Sequence, residues 1–244
     1  ITLANYTKDL IQDQLYVGSY LLLSFLSFMP GVFLFFFKNV ENVQEDSLKE
    51  GNVRNLKSIV LQPRFLQAIT AAAFAYAVMS FLMTATPLSM HVMENMSLKE
   101  TGLVLQFHVV AMFLPSLITG NLIKKYGHSA IIYGGVLFFF ITVLLSLFEQ
   151  TYLNYMLSLI FLGLGWNFLF ISGTSLVVLT YNKEEKFKVQ GINDLIVFST
   201  MALASLSAGI LLNSIGWKMM NIICIPFLIL IILVSFVADK KSAS

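Results

Sequence analysis

Seven side chains in this 244-residue sequence combine chemical capability with an apolar setting: Tyr76, Thr84, His108, Trp166, Asn167, Asn193 and Asp194. A polar or ionisable group deep in an apolar helix costs a few kcal/mol, so one that is kept faces a partner or water. His108 lies eight residues into the apolar run 100–121, about 12 Å along a helix that rises about 1.5 Å per residue. Its imidazole can take up and release a proton near neutral pH; a neutral ring bonded to a backbone carbonyl is the plain alternative. Thr101, Met112, Pro115 and Thr119 share the His108 face, whereas Gln106 is turned away from it. Asn167 and Trp166 fall in the middle of the run 152–180, where an amide and an indole could bond and stack a ligand. The plain alternative there is an interhelical hydrogen bond and a lipid-facing indole. Asp194 is the acid outside any clearly polar loop, and could carry a proton; the positive end of a helix dipole, or Lys186 and Lys188 close by, would account for it equally.

Tyr76 stands beside a stripe of Thr70, Ala73, Ala77, Ser80 and Thr84, and Asn193 begins another with Val197, Thr200, Ala204 and Ser207. These are helical spacings. Small and hydroxyl residues at such spacings also let helices approach closely in lipid.

The elements that must position these groups are membrane spans. Hydrophobic residues make up 57% of the chain and charged residues 11%, against about 25% charged in soluble domains. A span needs roughly 20 apolar residues, and seven runs satisfy this: 15–37, 65–87, 100–121, 129–149, 152–180, 190–213 and 218–238. Alternate connections collect Lys38, Lys49, Arg54, Lys57, Arg64, Lys124, Lys125, Lys183, Lys186, Lys188, Lys240 and Lys241, while the others hold Lys8, Lys99 and Lys218. That asymmetry expects the lysine-rich connections in the cytoplasm, with the first residues outside and the last inside.

Other classes find no support. A net charge of +2 without a basic stripe gives no nucleic-acid partner. Cys224 is the single cysteine, and three scattered histidines (His91, His108, His128) offer no metal-ligand spacing, so no metal, cofactor or disulfide is expected. HExxH, GxxxxGK[ST] and G-x-S-x-G are all absent, and an enzyme is not expected. The first residue is Ile1 and not Met, which leads to the expectation that the natural start lies earlier.

The polar stretch 38–63 separates one lone span from a block of six. The short connection between the third and fourth spans reads Gly120-Asn121-Leu122-Ile123-Lys124-Lys125-Tyr126-Gly127-His128. Layout and loop together resemble the major facilitator superfamily from helix six onward, where a glycine-bracketed basic loop G-x-L-x-D-R-x-G-R recurs in the second half. Gly120, Leu122, Lys125 and Gly127 fit that pattern; Lys124 stands where the family has Asp, and His128 where it has a basic residue. Gln190-Gly191-Ile192-Asn193-Asp194 is similar to a segment at the same place in some bacterial facilitators.

The resemblance implies an all-α, multi-pass fold: residues 1–37 carry an outer segment and the last helix of a first half, 38–63 a cytoplasmic linker, 64–238 a six-helix transport half, and 239–244 a cytoplasmic tail. It implies secondary transport of a small solute, coupled to protons as symport or antiport, in a bacterial inner membrane, with no cofactor. Its partners would be the solute, H+, the lipid bilayer and a missing N-terminal half. The six helices would be two inverted three-helix repeats whose third members, 129–149 and 218–238, lie against lipid. Gly120, Lys124, Lys125 and Gly127 would form a gating loop. A cavity without a fixed cation in its spans suits a neutral, amphipathic or cationic solute. A transport-incompetent scaffold of the same ancestry is the alternative, kept open by Lys124. A seven-helix receptor matches the span count but lacks Asp-Arg-Tyr, Asn-Pro-x-x-Tyr and any lysine within a span.

Overall fold

The computed structural model describes Thr7, residues 16–36 and residues 53–243. Apart from Thr7, the expected outer segment up to residue 15 and the linker stretch 37–52 lie outside these residues. All regular structure among the described residues is helical, as lipid demands of backbone groups that can find no water. The chain divides into two compact units, Ile1–Lys49 and Glu50–Ser244. The first contains α1 (Val17–Phe36), uncharged throughout, with Pro30 inside it.

The second unit opens with a short helix, α2 (Leu56–Val60), whose first turn is capped by the Asn55 side chain accepting from the Lys57 amide. Then come α3 (Pro63–Pro87), a π-helical turn (Leu88–Met93), α4 (Leu98–Phe113), α5 (Ser116–Tyr126), α6 (His128–Ser146), α7 (Tyr152–Val178), α8 (Lys186–Ile223) and α9 (Ile225–Ala243). Start signals are local. Pro63 takes the first turn of α3, Ser97 and Glu100 close a reciprocal capping box on α4, and Thr151 caps α7.

Six helical stretches are long and apolar enough to cross a membrane: Val17–Phe36, Pro63–Met93, Leu98–Tyr126, His128–Ser146, Tyr152–Val178 and Lys183–Ser242. The last is 60 residues long, far beyond one bilayer crossing, and it holds two of the seven expected spans. The break is Gly216, whose φ of 75° and ψ of 170° depart from the helix; a residue with a Cβ rarely enters that region. Beyond it the chain returns. Trp217 packs on Tyr155 at the start of α7, while Asp239 near the end of α9 bonds Arg64 at the start of α3. Alternation of the span ends is thus built into the packing of this unit.

α7 is the hub, packing against α3, α4 and α6. Two glycines permit it. A Cβ on Gly163 would lie 2.7 Å from the His108 carbonyl oxygen on α4, and one on Gly173 would lie 2.7 Å from the Ala68 carbonyl oxygen on α3. Backbones meet there without side chains between them, which raises dispersion contact where no hydrophobic effect drives helices together. α9 packs on α3 and α6.

Candidate functional site

Five aromatic rings gather at mid-length of four helical spans. Trp166 and Phe170 of α7 stack with centroids 4.9 Å apart and planes 13° from parallel. Tyr76 of α3 meets both edge-on, at 5.4 Å and 5.0 Å. Phe198 of α8 closes on Tyr76 at 6.0 Å, and Phe113, the last residue of α4, closes on Trp166 at 5.9 Å. Such pairs contribute about 0.5–1.5 kcal/mol each beyond burial. Phe113 and Phe198 remain 59% and 50% exposed, whereas Trp166 is 4% exposed and its Nε1–H has no partner. The cluster therefore has a buried floor, an open rim of ring faces and an unspent donor at its base.

Asn167, next in sequence to Trp166, points elsewhere. It is fully buried. Its Nδ2 donates to the Met112 carbonyl and to the Ser116 hydroxyl, both at 2.7 Å. The amide orientation is unambiguous, since the Met112 carbonyl can only accept. Its Oδ1 lies 2.6 Å from the Thr119 hydroxyl, which also has the Pro115 carbonyl within 2.8 Å and donates its single proton to one of the two.

His108 is fully buried on α4, and its Nδ1 donates to the Leu159 carbonyl on α7 at 2.7 Å. The neutral ring then carries its lone pair on Nε2, which has no partner. Asn193 is buried on α8, donates to the Asp194 carboxylate at 3.1 Å and leaves its own Oδ1 unpaired. Asp194 itself is exposed. The Thr84 hydroxyl pairs with that of Ser205 at 3.0 Å, joining α3 to α8. So Tyr76 and Trp166 come together in one cluster, while His108, Thr84 and the Asn193–Asp194 pair stand apart from it.

The Gly120–His128 loop is shorter than its sequence suggests. α5 continues through Lys124 and Lys125 to Tyr126, and α6 begins at His128. Gly127 alone makes the turn, at φ 83° and ψ 162°. Gly120 faces open space. The two lysines lie in the last turn of α5, favourable for its dipole, and Lys125 rests over the Tyr126 ring at 4.9 Å.

Two polar networks at the lysine-rich end were not among the sequence candidates. Arg64 of α3 donates through Nη1 to Asp239 of α9 and to Gln67 Oε1, both at 2.7 Å. Ser129 of α6 donates to Asp239 at 2.6 Å and accepts from Gln67 at 2.9 Å, and Tyr133 adds a bond at 3.2 Å. In the second network, Arg54 grips Glu185 between α7 and α8. Its backbone amide and Nε both reach Oε1, at 2.7 Å and 3.0 Å, and Nη2 reaches Oε2 at 2.7 Å and the Thr180 carbonyl at 2.9 Å. Glu185 is 1% exposed and lies in the loop before the apolar part of α8. The Arg54 guanidinium holds its carboxyl down at about 2, helped by the Asn182 and Arg54 amides and opposed by burial. Gln67, three residues beyond Arg64 in an apolar run, was the signal for the first network; nothing in the sequence pairs Arg54 with a residue so distant.

A cavity of about 440 Å³ lies between α3, α8 and α9 on the other face of α3 from Tyr76, with Cys224 in its wall. Its walls are apolar apart from hydroxyls such as those of Thr200 and Ser207, which already donate to carbonyls of their own helix. It offers little to orient a ligand, and the aromatic cluster is the better candidate site.

The helical, apolar spans agree with comparison to known proteins. The Major Facilitator Superfamily profile matches residues 70–244, and the chain belongs to that family. Riboflavin transporter RfnT of Brucella anthropi is 35% identical over 227 residues, covering 93% of this chain and 57% of that protein. The uncharacterized MFS-type transporter YdeG of Bacillus subtilis is 26% identical over 217 residues, covering 84% of this chain and 50% of its own. YddS of the same organism, also an uncharacterized MFS-type transporter, is 30% identical over 151 residues, 61% of this chain. The chain spans about half the length of the first two.

Proposed function

We propose that this chain forms one half of a secondary transporter that moves a small planar aromatic solute across a membrane by alternating access. The observation that carries the reading is the mid-length aromatic cluster of Tyr76, Phe113, Trp166, Phe170 and Phe198, contributed by α3, α4, α7 and α8. Facilitator substrate sites lie near the bilayer midplane between two halves that rock about them. The reading assigns the facing half to the rest of a longer protein. Riboflavin, named for the Brucella relative, is the first solute to try, since its fused ring system suits stacked and edge-on aromatics. Coupling to protons is assigned to His108, whose unpaired Nε2 is a proton acceptor within a span, with Asp194 as a second candidate at the lysine-rich end. That end is read as cytoplasmic.

The test is uptake of riboflavin and of other planar and non-planar solutes by full-length protein in liposomes, with an internal pH reporter. Tyr76→Ala and Trp166→Ala are expected to weaken apparent affinity roughly tenfold or more for planar solutes, as the loss of stacking energy implies. Solute-dependent flux with no preference for planar rings would retire the aromatic site. No flux from folded protein across the panel would leave the scaffold reading.

A further inference from the structure

Asn167 lies beside the candidate site without belonging to it, and its bonds run across a break in another helix. Pro115 has no N–H, so the backbone ladder that reaches Leu114, donating to Val110 at 2.9 Å, is interrupted there; it resumes with Leu117 donating to Leu114 at 3.3 Å and with Ile118 and Thr119 donating to Pro115 at 2.9 Å. The Met112 carbonyl falls in that gap and is taken by Asn167 Nδ2. The same nitrogen takes the Ser116 hydroxyl on the far side, and Oδ1 faces the Thr119 hydroxyl one turn further on. One amide from α7 thus bridges the end of α4 and the start of α5. Both of its protons are spent on protein, which leaves none for a solute.

The residue bonded directly to the held Met112 carbonyl is Phe113, whose ring stands at 5.9 Å against Trp166, the residue preceding Asn167. Upstream, α4 is already fixed to α7 by the His108 bond to Leu159 and the close approach at Gly163. Downstream of the proline, α5 packs on α6 and α7, and the side-chain hydrogen bonds that register it to α7 run from Ser116 and Thr119 to Asn167.

We infer that Asn167 is a positioning residue: it clasps the proline break between α4 and α5 and so sets the Phe113 ring on the aromatic site. The inference rests on the aromatic-solute reading for its consequence in transport, but the clasp itself is a separate claim. Because bending at Pro115 must pass through this amide, the clasp also ties any change of the break to the pose of Phe113.

The decisive experiment is a double-mutant cycle of Asn167→Leu, which fills the same space without hydrogen bonds, with Pro115→Ala, which restores a backbone donor at the break. All proteins are full length and carry Trp217→Phe, with phenylalanine also replacing any tryptophan outside this chain, so that Trp166 is the one emitter. Asn167→Leu is expected to raise the KM for the best planar solute roughly three- to tenfold, the weight of one or two buried hydrogen bonds, with turnover at saturation held within about twofold. Its Trp166 emission should shift to the red and become more open to quenching as Phe113 swings away. In the Pro115→Ala background, Asn167→Leu should change neither quantity by more than about twofold, since the Ser116 amide can then donate to Met112. Equal effects in both backgrounds, or a loss of melting temperature with KM and emission unchanged, would overturn the clasp. If the parent protein moves no planar solute, the transport reading fails and the emission arm alone decides: an unchanged Trp166 spectrum in Asn167→Leu overturns the clasp, and a shift suppressed by Pro115→Ala upholds it.

Discussion

At the scale of single residues, environment separates side chains that looked alike in the sequence. His108 and Asn167 are both buried polar groups in apolar spans. Asn167 has both amide protons spent and its oxygen within 2.6 Å of the Thr119 hydroxyl, whereas His108 uses one nitrogen and leaves the other unpaired. An unpaired acceptor in a span is costly, and function is the usual reason for keeping one. His108→Phe, which fills the ring's space, is therefore expected to abolish proton-driven accumulation while solute exchange across the membrane persists. Counterflow against pH-driven uptake in the same liposomes measures this; accumulation unchanged in the variant would remove His108 from the proton path. The sequence could single out Tyr76, His108, Trp166 and Asn167 because each is unusual in an apolar run. It could not single out Phe113 or Phe198, because 22 phenylalanines occur in this chain and an apolar ring in an apolar run is nothing unusual.

At the scale of elements, α7 and the segment before α3 carry the sharpest expectations. Gly173→Leu would drive a side chain into the Ala68 carbonyl on α3, and overpacking of this kind costs about 1–3 kcal/mol. A lowered midpoint in detergent unfolding, without change in α4 contacts, is the expected result. The Arg54–Glu185 grip fixes residues 53–62 to the α7–α8 loop. A carboxylate whose value falls from the ordinary 4.5 to about 2 stabilises the fold fully above 4.5 and loses that contribution as pH drops through 2. The segment should thus resist trypsin equally at pH 8 and pH 6, within the protease's working range. Glu185→Gln should open it to cleavage at Arg54 or Lys57 already at neutral pH, losing about 2–3 kcal/mol, between the values for exposed and buried pairs. Cleavage equal in the parent and the variant would show that the grip holds nothing.

At the scale of the whole molecule, the unit from Glu50 onward has two distinct ends. One joins Arg64, Gln67, Ser129 and Asp239 from α3, α6 and α9. The other joins Ser89, Tyr155 and Trp217, the first two through hydroxyls 2.7 Å apart. Placing the lysine-rich end in the cytoplasm predicts that, in a Cys224→Ser background, a cysteine at Lys240 reacts with an impermeant maleimide only in inverted vesicles. Labelling of intact cells would reverse the orientation. Asp239→Asn should cost about 1 kcal/mol in thermal unfolding, the scale of a half-exposed pair, because Ser129 and Gln67 remain to bond one another.

By itself the sequence determined that the chain is a helical membrane protein, where its spans lie and which ends share a side. These follow from local quantities: the apolar length a bilayer requires and lysine asymmetry. Only the tertiary structure decided which polar groups are spent on packing and which stay unpaired. It also decided that rings from α3, α4, α7 and α8 converge, and that Asp239 and Arg54 are structural partners of residues more than a hundred positions away. The reason is physical. Helical periodicity reports which residues share a face, but a lipid-facing face and a cavity-facing face can both be apolar. Glycine contacts such as those at Gly163 and Gly173 set which helix lies against which, and those contacts exist only once the bundle is assembled.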